Sequence, residues 1–566
     1  MDKAIIGDLF FILLAALLGG VAARILKLPT LLGYIVIGVL LNVVLPIDHG
    51  GVESVAQIGV ILLLFSVGIE LSLSKFVRVG YVAVLGALVE MAVVTGVVWA
   101  MLTASGFEGI PAMVFALAFS LSSTALVVKI LEDRAETDSI HGEIMIGWLL
   151  TQDLAVIPIM AILPTLTDGM ANWGGTAVNS LLVSAFLVSA VFFLGRMLAP
   201  ALTHIVASTN SRELMVLVGI SLALGTAFLV SNFGISPALG AFLAGVVISD
   251  TQENHAIFSE TRPLRDVFVI LFFVTLGFFI TPAVLIHKIG FILSLAILVI
   301  LIKALVILML MLFLGYRGKT AMIVSFGMSQ VGEFSFVIFL AARSLNILSE
   351  EYASIGIATA LATLIATPFI YKLIVPLWRR LKRLSGRWPV IGSIVSPGVR
   401  ARKVESGLKD HVVICGFGRM GSWIGKALDS EKIPYVVIDY NQRVVKQAQR
   451  KGIRIIYGDP AEPNVLDSVS VSEAKAVVVA IPDLVVQEEI ISYCQNQAKK
   501  VKVIARAHLD EDVAKLSHLR VKKVVQPEFE AAVTVVRDIF TSMGKSHDET
   551  GNMLRALRRL HTVNSA

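Results

Sequence analysis

Thirteen apolar runs, each close to the length of a membrane-spanning helix, occupy the first two thirds of this 566-residue chain. They lie near 4–24, 29–46, 54–73, 79–104, 111–131, 141–163, 176–199, 211–231, 236–250, 264–281, 286–314, 319–345 and 351–377. About 20 mostly apolar residues are needed to cross the hydrocarbon core of a bilayer. Lipid offers no partner to a backbone amide, so such a chain must satisfy its main chain within helices. The first run has no basic n-region and leads straight into further spans, so it reads as a span and not as a cleaved signal. The ninth is short and Gly-rich, with soft limits.

The loops predict orientation. One alternate set carries Arg24, Lys27, Lys75, Arg78, Lys129, Arg134, Arg196, Arg212, Arg262, Arg265, Arg317 and Lys319; the other carries only Lys3, Lys288 and Arg343. Basic loops stay in the cytoplasm. The N-terminus is therefore expected outside and the C-terminus inside, and Arg379-Arg380-Leu381-Lys382-Arg383 after the last run agrees.

The runs also repeat. Pro29-Thr-Leu-Leu-Gly33-Tyr-Ile-Val-Ile-Gly38-Val39 in run two pairs with Pro237-Ala-Leu-Gly240-Ala-Phe-Leu-Ala-Gly245-Val246 in run nine. Val60-Ile61-Leu62-Leu-Leu-Phe-Ser66-Val-Gly68 in run three pairs with Val269-Ile270-Leu271-Phe-Phe-Val-Thr275-Leu-Gly277 in run ten. Both pairs are seven spans apart, and an odd offset inverts the copy. That is the inverted-repeat plan of secondary transporters, six plus one plus six.

Composition changes sharply after the last run. Residues 1–378 hold 17 Lys+Arg and 22 Asp+Glu; residues 379–566 hold 31 and 20. The whole chain is only 16% charged, against about 25% in a typical soluble domain, so a membrane part is joined to a soluble part. A single globular enzyme, a disordered chain and a secreted disulfide scaffold are excluded. The two cysteines, Cys415 and Cys494, both fall in the soluble part and suit a reducing cytosol. The expected domains are a transmembrane domain at 1–378, a cytoplasmic linker at 379–409, a nucleotide-binding domain at 410–540 and a tail at 541–566. In the tail, Arg555–Arg559 reads as a solvated amphipathic helix. No nucleic-acid partner is expected.

Ionisable residues inside the runs are few, and each costs about 2.5–3.5 kcal/mol at a helix centre. Those away from the ends of the runs are Glu90, Asp153, Lys303 and Glu333. Asp153, preceded by Gln152, is the strongest candidate. A carboxylate binds a proton or a dehydrated alkali cation, not both, and that competition is the core of exchange. Lys303 is the natural counter-ion of Asp153, or a structural bridge to another acid. Runs five and twelve are repeat mates. They carry Ser120-Leu-Ser122-Ser123-Thr124 and Gly327-Met-Ser329-Gln330-Val-Gly332-Glu333, which suits unwound, crossing segments. Thr124, Ser123 and Gln330 are candidate oxygen ligands, or small residues that let helices pack. Glu333 either balances the partial charges at a helix break or pairs with Lys303. Glu90 reads as a hydrogen-bonded packing residue, with a second proton site as the alternative.

Gln152-Asp153-Leu-Ala-Val-Ile-Pro158, Gly332-Glu333-Phe-Ser-Phe and Leu271-Phe272-Phe273 resemble the Kef-type branch of the monovalent cation:proton antiporters, and the likeness covers the whole chain. Sodium/proton relatives usually carry Asn-Asp or Asp-Asp at the Gln152-Asp153 position, whereas Kef-type antiporters carry Gln-Asp. The resemblance implies potassium as substrate and Asp153 as the shared carrier of cation and proton. One carboxylate and one lysine make one-for-one, electroneutral exchange the simplest expectation. The family implies a homodimer in a bacterial inner membrane, with runs 1–3 and 8–10 as dimer scaffold and runs 4–6 and 11–13 as a moving core. The expected fold is thus a polytopic α-helical membrane protein of about thirteen helices, with inverted repeats and broken crossing helices, followed by an α/β Rossmann-like domain.

In the soluble part, His411–Cys415 reads as a strand. Gly416-Phe-Gly418-Arg419-Met420-Gly421 opens a helix, and Tyr435–Asp439 is a second strand ending in an acid. Strand, glycines, helix, strand and acid together mark a dinucleotide-binding unit. Asp439 is expected on a ribose. This part resembles the TrkA-type nucleotide domain, with Tyr457-Gly458-Asp459 and Ala505-Arg506-Ala507 matching its pattern. That implies NAD(H) or an adenine nucleotide such as AMP as a regulatory ligand, held at Gly416, Gly418, Arg419, Met420, Gly421, Asp439, Asp459 and Arg506. No catalytic acid, base or substrate domain follows, so a sensor and not an enzyme is expected. Kef-type systems are gated by glutathione, and His255-Ala256…Glu260 resembles their regulatory acidic loop, with a thinner acidic cluster. Glutathione or another cytosolic small molecule is therefore an implied regulator. The alternatives are sodium/proton exchange and a ligand-gated potassium channel. The channel predicts a filter such as Thr-Val-Gly-Tyr-Gly, which the sequence does not contain.

Overall fold

The computed structural model describes residues 3–26, 29–44, 49–70, 81–134, 136–137, 139–168, 173–209, 211–232, 237–316, 318–384, 408–439, 442–498, 500–507, 510–519 and 521–564. The chain forms two compact units, one all-helical and one α/β.

In the helical unit the order is α1 (Lys3–Ile25), α2 (Thr30–Val44), α3 (His49–Glu70), α4 (Tyr81–Ala104), α5 (Gly109–Ser120), α6 (Thr124–Asp133), α7 (Ile140–Ile162), α8 (Trp173–Ser208), α9 (Arg212–Ser231), α10 (Pro237–Ser249), α11 (Asn254–Phe278), α12 (Pro282–Phe313), α13 (Gly318–Gly327), α14 (Phe334–Ser344) and α15 (Glu350–Leu384). Among the described residues, six helical segments are long and apolar enough to cross a membrane by length and composition. α12 shows why such helices form. Pro282 starts it at a position where no amide hydrogen is needed. Ile292, Leu295, Val299, Lys303 and Ile307 then face inward at helical spacing, while Ile297, Leu301, Leu305 and Met309 stay exposed. An apolar exposed face is what lipid demands.

The repeat is visible in the packing. A Cβ on Gly38 of α2 would lie 2.0 Å from the Val274 carbonyl oxygen and 3.2 Å from Gly277 Cα on α11. A Cβ on Gly245 of α10 would lie 2.1 Å from the Phe65 oxygen and 2.9 Å from Gly68 Cα on α3. Gly38 and Gly245 are repeat mates, as are Gly68 and Gly277, so one close crossing occurs twice. Only glycine lets two helix backbones approach this far.

Runs five and twelve are each broken. α5 stops where Leu121 turns extended (φ −78°, ψ 142°), and α6 restarts with Ser123 Oγ accepting from Leu126 N–H at 3.3 Å. α13 and α14 flank the second break. The breaks meet: Gly332 N–H donates to Leu121 O at 3.0 Å, Ser122 Oγ donates to Met328 O at 2.7 Å, and Val331 N–H donates to Thr363 Oγ1 at 3.0 Å. These main-chain groups, freed by the breaks, thus find partners from neighbouring elements.

Two boundaries differ from expectation. α15 continues to Leu384 because the basic stretch after residue 378 keeps helical character. The linker composition at 385–407 lies outside the described residues. The stretch expected as an acidic loop at His255–Glu260 is the first part of α11, and Glu260 is tied to Arg212 at 3.4 Å.

The α/β unit has six parallel strands in the order 3-2-1-4-5-6: β1 (Val412–Cys415), β2 (Tyr435–Asp439), β3 (Ile455–Tyr457), β4 (Ala476–Val479), β5 (Lys502–Arg506) and β6 (Lys523–Val525). The connecting helices are α16 (Arg419–Ser430), α17 (Gln442–Arg450), α18 (Pro463–Ser468), α19 (Leu484–Gln497) and α20 (Asp510–Ser517); α21 (Pro527–Ser542) and α22 (His547–Asn564) follow. The central strands read as near-continuous Val/Ile runs because helices cover both faces. α21 runs past residue 540, and Arg555–Arg559 lies on α22.

Candidate functional site: the helix crossing and the nucleotide crevice

At the crossing, the chain has brought opposite charges to opposite ends of one broken helix. α5 ends with the carbonyls of Phe119, Ser120 and Leu121, and all three accept from Lys303 Nζ, at 3.1, 2.9 and 3.0 Å. α6 begins with Thr124, whose Oγ1 donates to both oxygens of Asp153, at 3.1 and 2.9 Å. A cation at a helix C-terminus and a carboxylate at an N-terminus are the favourable arrangement. Asp153 and Lys303 are both buried.

The ion pair of Lys303 is not with Asp153 or Glu333. Lys303 Nζ lies 3.9 Å from Glu90 Oε1, and both side chains are fully buried. The counter-ion expected of Asp153 thus belongs to an acid on α4. α4 packs close enough for this because Gly86, one turn before Glu90, faces the Trp148 ring. Gln152 joins the same cluster. Its Nε2 donates to Glu90 Oε2 at 2.6 Å and to Ser120 O at 3.4 Å, and its Oε1 accepts from Ser122 N–H at 3.0 Å. The oxygen expected to face a cation is engaged by the break itself. Ser123 Oγ is likewise engaged, as the cap of α6. Gln330 is different: it is buried in the second break with neither amide atom hydrogen-bonded. Buried amides are normally satisfied, so Gln330 has donor and acceptor capacity to spare. Glu333, half-buried, occupies the position just before α14.

Glu90 is the residue whose place sequence reasoning missed. The signal was present, because an acid inside an apolar run is expensive, but its partners lie 62 and 213 positions away in the chain.

In the α/β unit, Gly416 through Gly421 follow β1, Asp439 ends β2, Asp459 follows β3 and Arg506 ends β5. All lie at the carboxyl ends of parallel strands, the place where open α/β sheets bind ligands. Gly416 has φ +97°, and a Cβ on Gly421 would come 2.0 Å from the Gly416 oxygen. Gly418 caps α16 with nothing within 4 Å of where its Cβ would sit. That bare helix N-terminus fits a phosphate. Asp439 Oδ2 accepts from Phe417 N–H at 2.6 Å, so acid and glycine loop are held together. Arg506 Nη2 lies 3.8 Å from Glu528.

Inverted helix repeats crossing at a buried carboxylate define a secondary transporter, here carrying a Rossmann-type regulatory fold. The chain belongs to the sodium/hydrogen exchanger family: residues 11–376 match the model of its transmembrane domain, and residues 412–527 match the TrkA-N domain. It is 30% identical over 536 residues to YbaL of Escherichia coli (strain K12), named as a cation/proton antiporter, covering 93% of this chain and 95% of that one. It is 30% identical over 558 residues to the glutathione-regulated potassium-efflux system protein KefC of Cronobacter sakazakii, covering 96% and 86%. The sodium/proton antiporter MjNhaP1 of Methanocaldococcus jannaschii shares the fold, with a TM-score of 0.50 and 16% identity over 66% of this chain and all of that one. The Kef-type likeness read from the motifs is shown by these relatives, and the family is one of transporters.

Proposed function

We propose that this chain is a nucleotide-regulated potassium/proton antiporter of the efflux type, working by alternating access at Asp153. The observation that carries this reading is a buried carboxylate that accepts from the Thr124 hydroxyl at the N-terminus of a half-helix. The helix dipole stabilises the anion, and a buried carboxylate placed there takes a proton or a cation in turn. Thr124 Oγ1 and the free amide of Gln330 are the other oxygen groups suited to a dehydrated cation. Gln152 and Ser123 support the break instead, and Glu333 balances the N-terminus of α14. Potassium is favoured by the Gln152-Asp153 pair and by the named substrate of the KefC relative. Thirteen crossings put the N-terminus outside and the α/β unit in the cytosol of a bacterial inner membrane. A homodimer built on runs 1–3 and 8–10 completes the reading.

The α/β unit is a sensor, not an enzyme. NAD(H) or AMP fits the crevice: Gly416, Gly418, Arg419, Met420 and Gly421 would hold its phosphates, and Asp439 its ribose. Asp459, after β3, and Arg506, at the end of β5, would flank the crevice from opposite sides. A bound nucleotide would supply charge and order at the strand ends, and no redox step is assigned to it. Glutathione is a further candidate regulator, from the KefC likeness.

The test uses purified protein in liposomes with a trapped pH dye, given potassium or sodium with and without AMP or NADH. Potassium-driven proton movement, lost in Asp153→Asn, is expected. Movement with sodium alone would make this a sodium/proton antiporter. Fast potassium flux with no proton movement would make it a channel.

A further inference from the structure

Glu90, Lys303 and Gln152 form a second buried polar cluster beside Asp153. Glu90 receives Gln152 Nε2 at 2.6 Å and lies 3.9 Å from Lys303 Nζ, while three main-chain carbonyls take up the ammonium. The charged and polar groups that face Glu90 are Lys303 from α12 and Gln152 with Trp148 from α7. Asp153 is the next residue along α7.

We infer that Glu90 is a positioning residue that sets the charge count of transport: by closing an ion pair on Lys303 it leaves Asp153 as the single titrating carrier, so one proton exchanges for one cation. This rests on the antiporter reading above. A lysine facing Asp153 with no other acid has a reason to give up its proton when a cation replaces it at the carboxylate. Two protons would then return for each cation. Lys303 is not in that position. Glu90 and three carbonyls surround its ammonium, and the pair sums to zero charge whether or not a proton passes between its members. The cluster therefore presents the same charge to Asp153 in the cation-loaded and the proton-loaded state. Gln152 ties the arrangement to the crossing, because the amide held by Glu90 is the one that accepts from Ser122 N–H.

The experiment reads the potassium gradient at which proton movement reverses, in liposomes of the full chain, with a membrane potential of either sign imposed by a thiocyanate gradient. For one-for-one exchange the reversal point is independent of potential. Each extra proton per cycle moves one charge, worth about 2.3 kcal/mol per 100 mV, which is a shift of about 50-fold in that gradient. The wild type is expected to show no shift. Glu90→Gln, with Lys303 released, is expected to shift by about 50-fold per 100 mV. Glu90→Gln/Lys303→Gln, which buries no charge at this cluster and so folds more readily, is expected to return to no shift. A merely structural role for Glu90 would lower the rate and leave the reversal point where it was. A shift in the wild type or in the double variant, or none in Glu90→Gln, overturns the inference while exchange itself stands. Absence of any proton movement in the wild type overturns the antiporter reading along with it.

Discussion

Lys303 stands in a fully buried position within an apolar helix, and its surroundings explain how the fold tolerates it. Removing one partner of a buried ion pair leaves the other uncompensated, at a cost of about 3–5 kcal/mol, while replacing both with apolar groups is often neutral. Lys303→Ala should therefore lower stability by that amount, and Glu90→Gln/Lys303→Met should recover most of it. Thermal unfolding of the full chain in detergent measures both. Thr124→Val removes the hydroxyl that holds Asp153 and should raise the potassium KM about tenfold, from a lost hydrogen bond to a charged group, measured in the same liposome assay. Outside the membrane, burial pushes the Cys494 thiol up to about 11 and raises Cys415 well above its usual range. Thiolate is the reactive form, so neither cysteine should alkylate at neutral pH in the native protein. Both should alkylate after denaturation, and mass spectrometry with iodoacetamide decides it.

At the level of elements, the duplicated crossings Gly38–Gly277 and Gly245–Gly68 make the unit stiff where helices of opposite repeats touch. Gly245→Ala places a methyl 2.1 Å from a carbonyl oxygen and should cost about 1–3 kcal/mol, the usual range for overpacking. Gly225 on α9 has nothing within 4 Å, so Gly225→Ala should instead gain about 0.5–1 kcal/mol of helix propensity. Opposite signs in unfolding midpoint at two Gly-to-Ala sites test the packing reading directly. The same scale applies to the acidic segment. His255–Glu260 resembles a regulatory loop of the Kef family, and in this chain it is helical, as the first part of α11. Pro263 lies inside α11, which continues through it with one main-chain hydrogen bond fewer.

Taken as a whole, the molecule has two units with separate hydrophobic cores. Two-state unfolding is not expected of such a chain, and calorimetry should resolve two transitions. AMP or NADH at 100 times its Kd should stabilise the α/β unit by about 2.7 kcal/mol and raise only its transition. Gly421→Val fills the space against the Gly416 oxygen and should abolish that shift.

What the sequence determined by itself was whatever depends on local pattern. Run length forces helices in lipid, repeat spacing forces inversion, and strand–glycine–helix–strand–acid forces the crevice, because each needs only residues near one another in the chain. The broken helices were legible for the same reason, since hydroxyls and glycines interrupt the apolar runs at matched places. The tertiary structure alone decided which acid neutralises Lys303 and which oxygens remain free at the crossing. Asp153, Glu333 and Glu90 all bear the same charge on the page of the sequence. Choosing among them depends on how closely α4 can approach α7 and α12, and that distance is set by Gly86 against Trp148, a contact 62 residues apart that no local pattern announces.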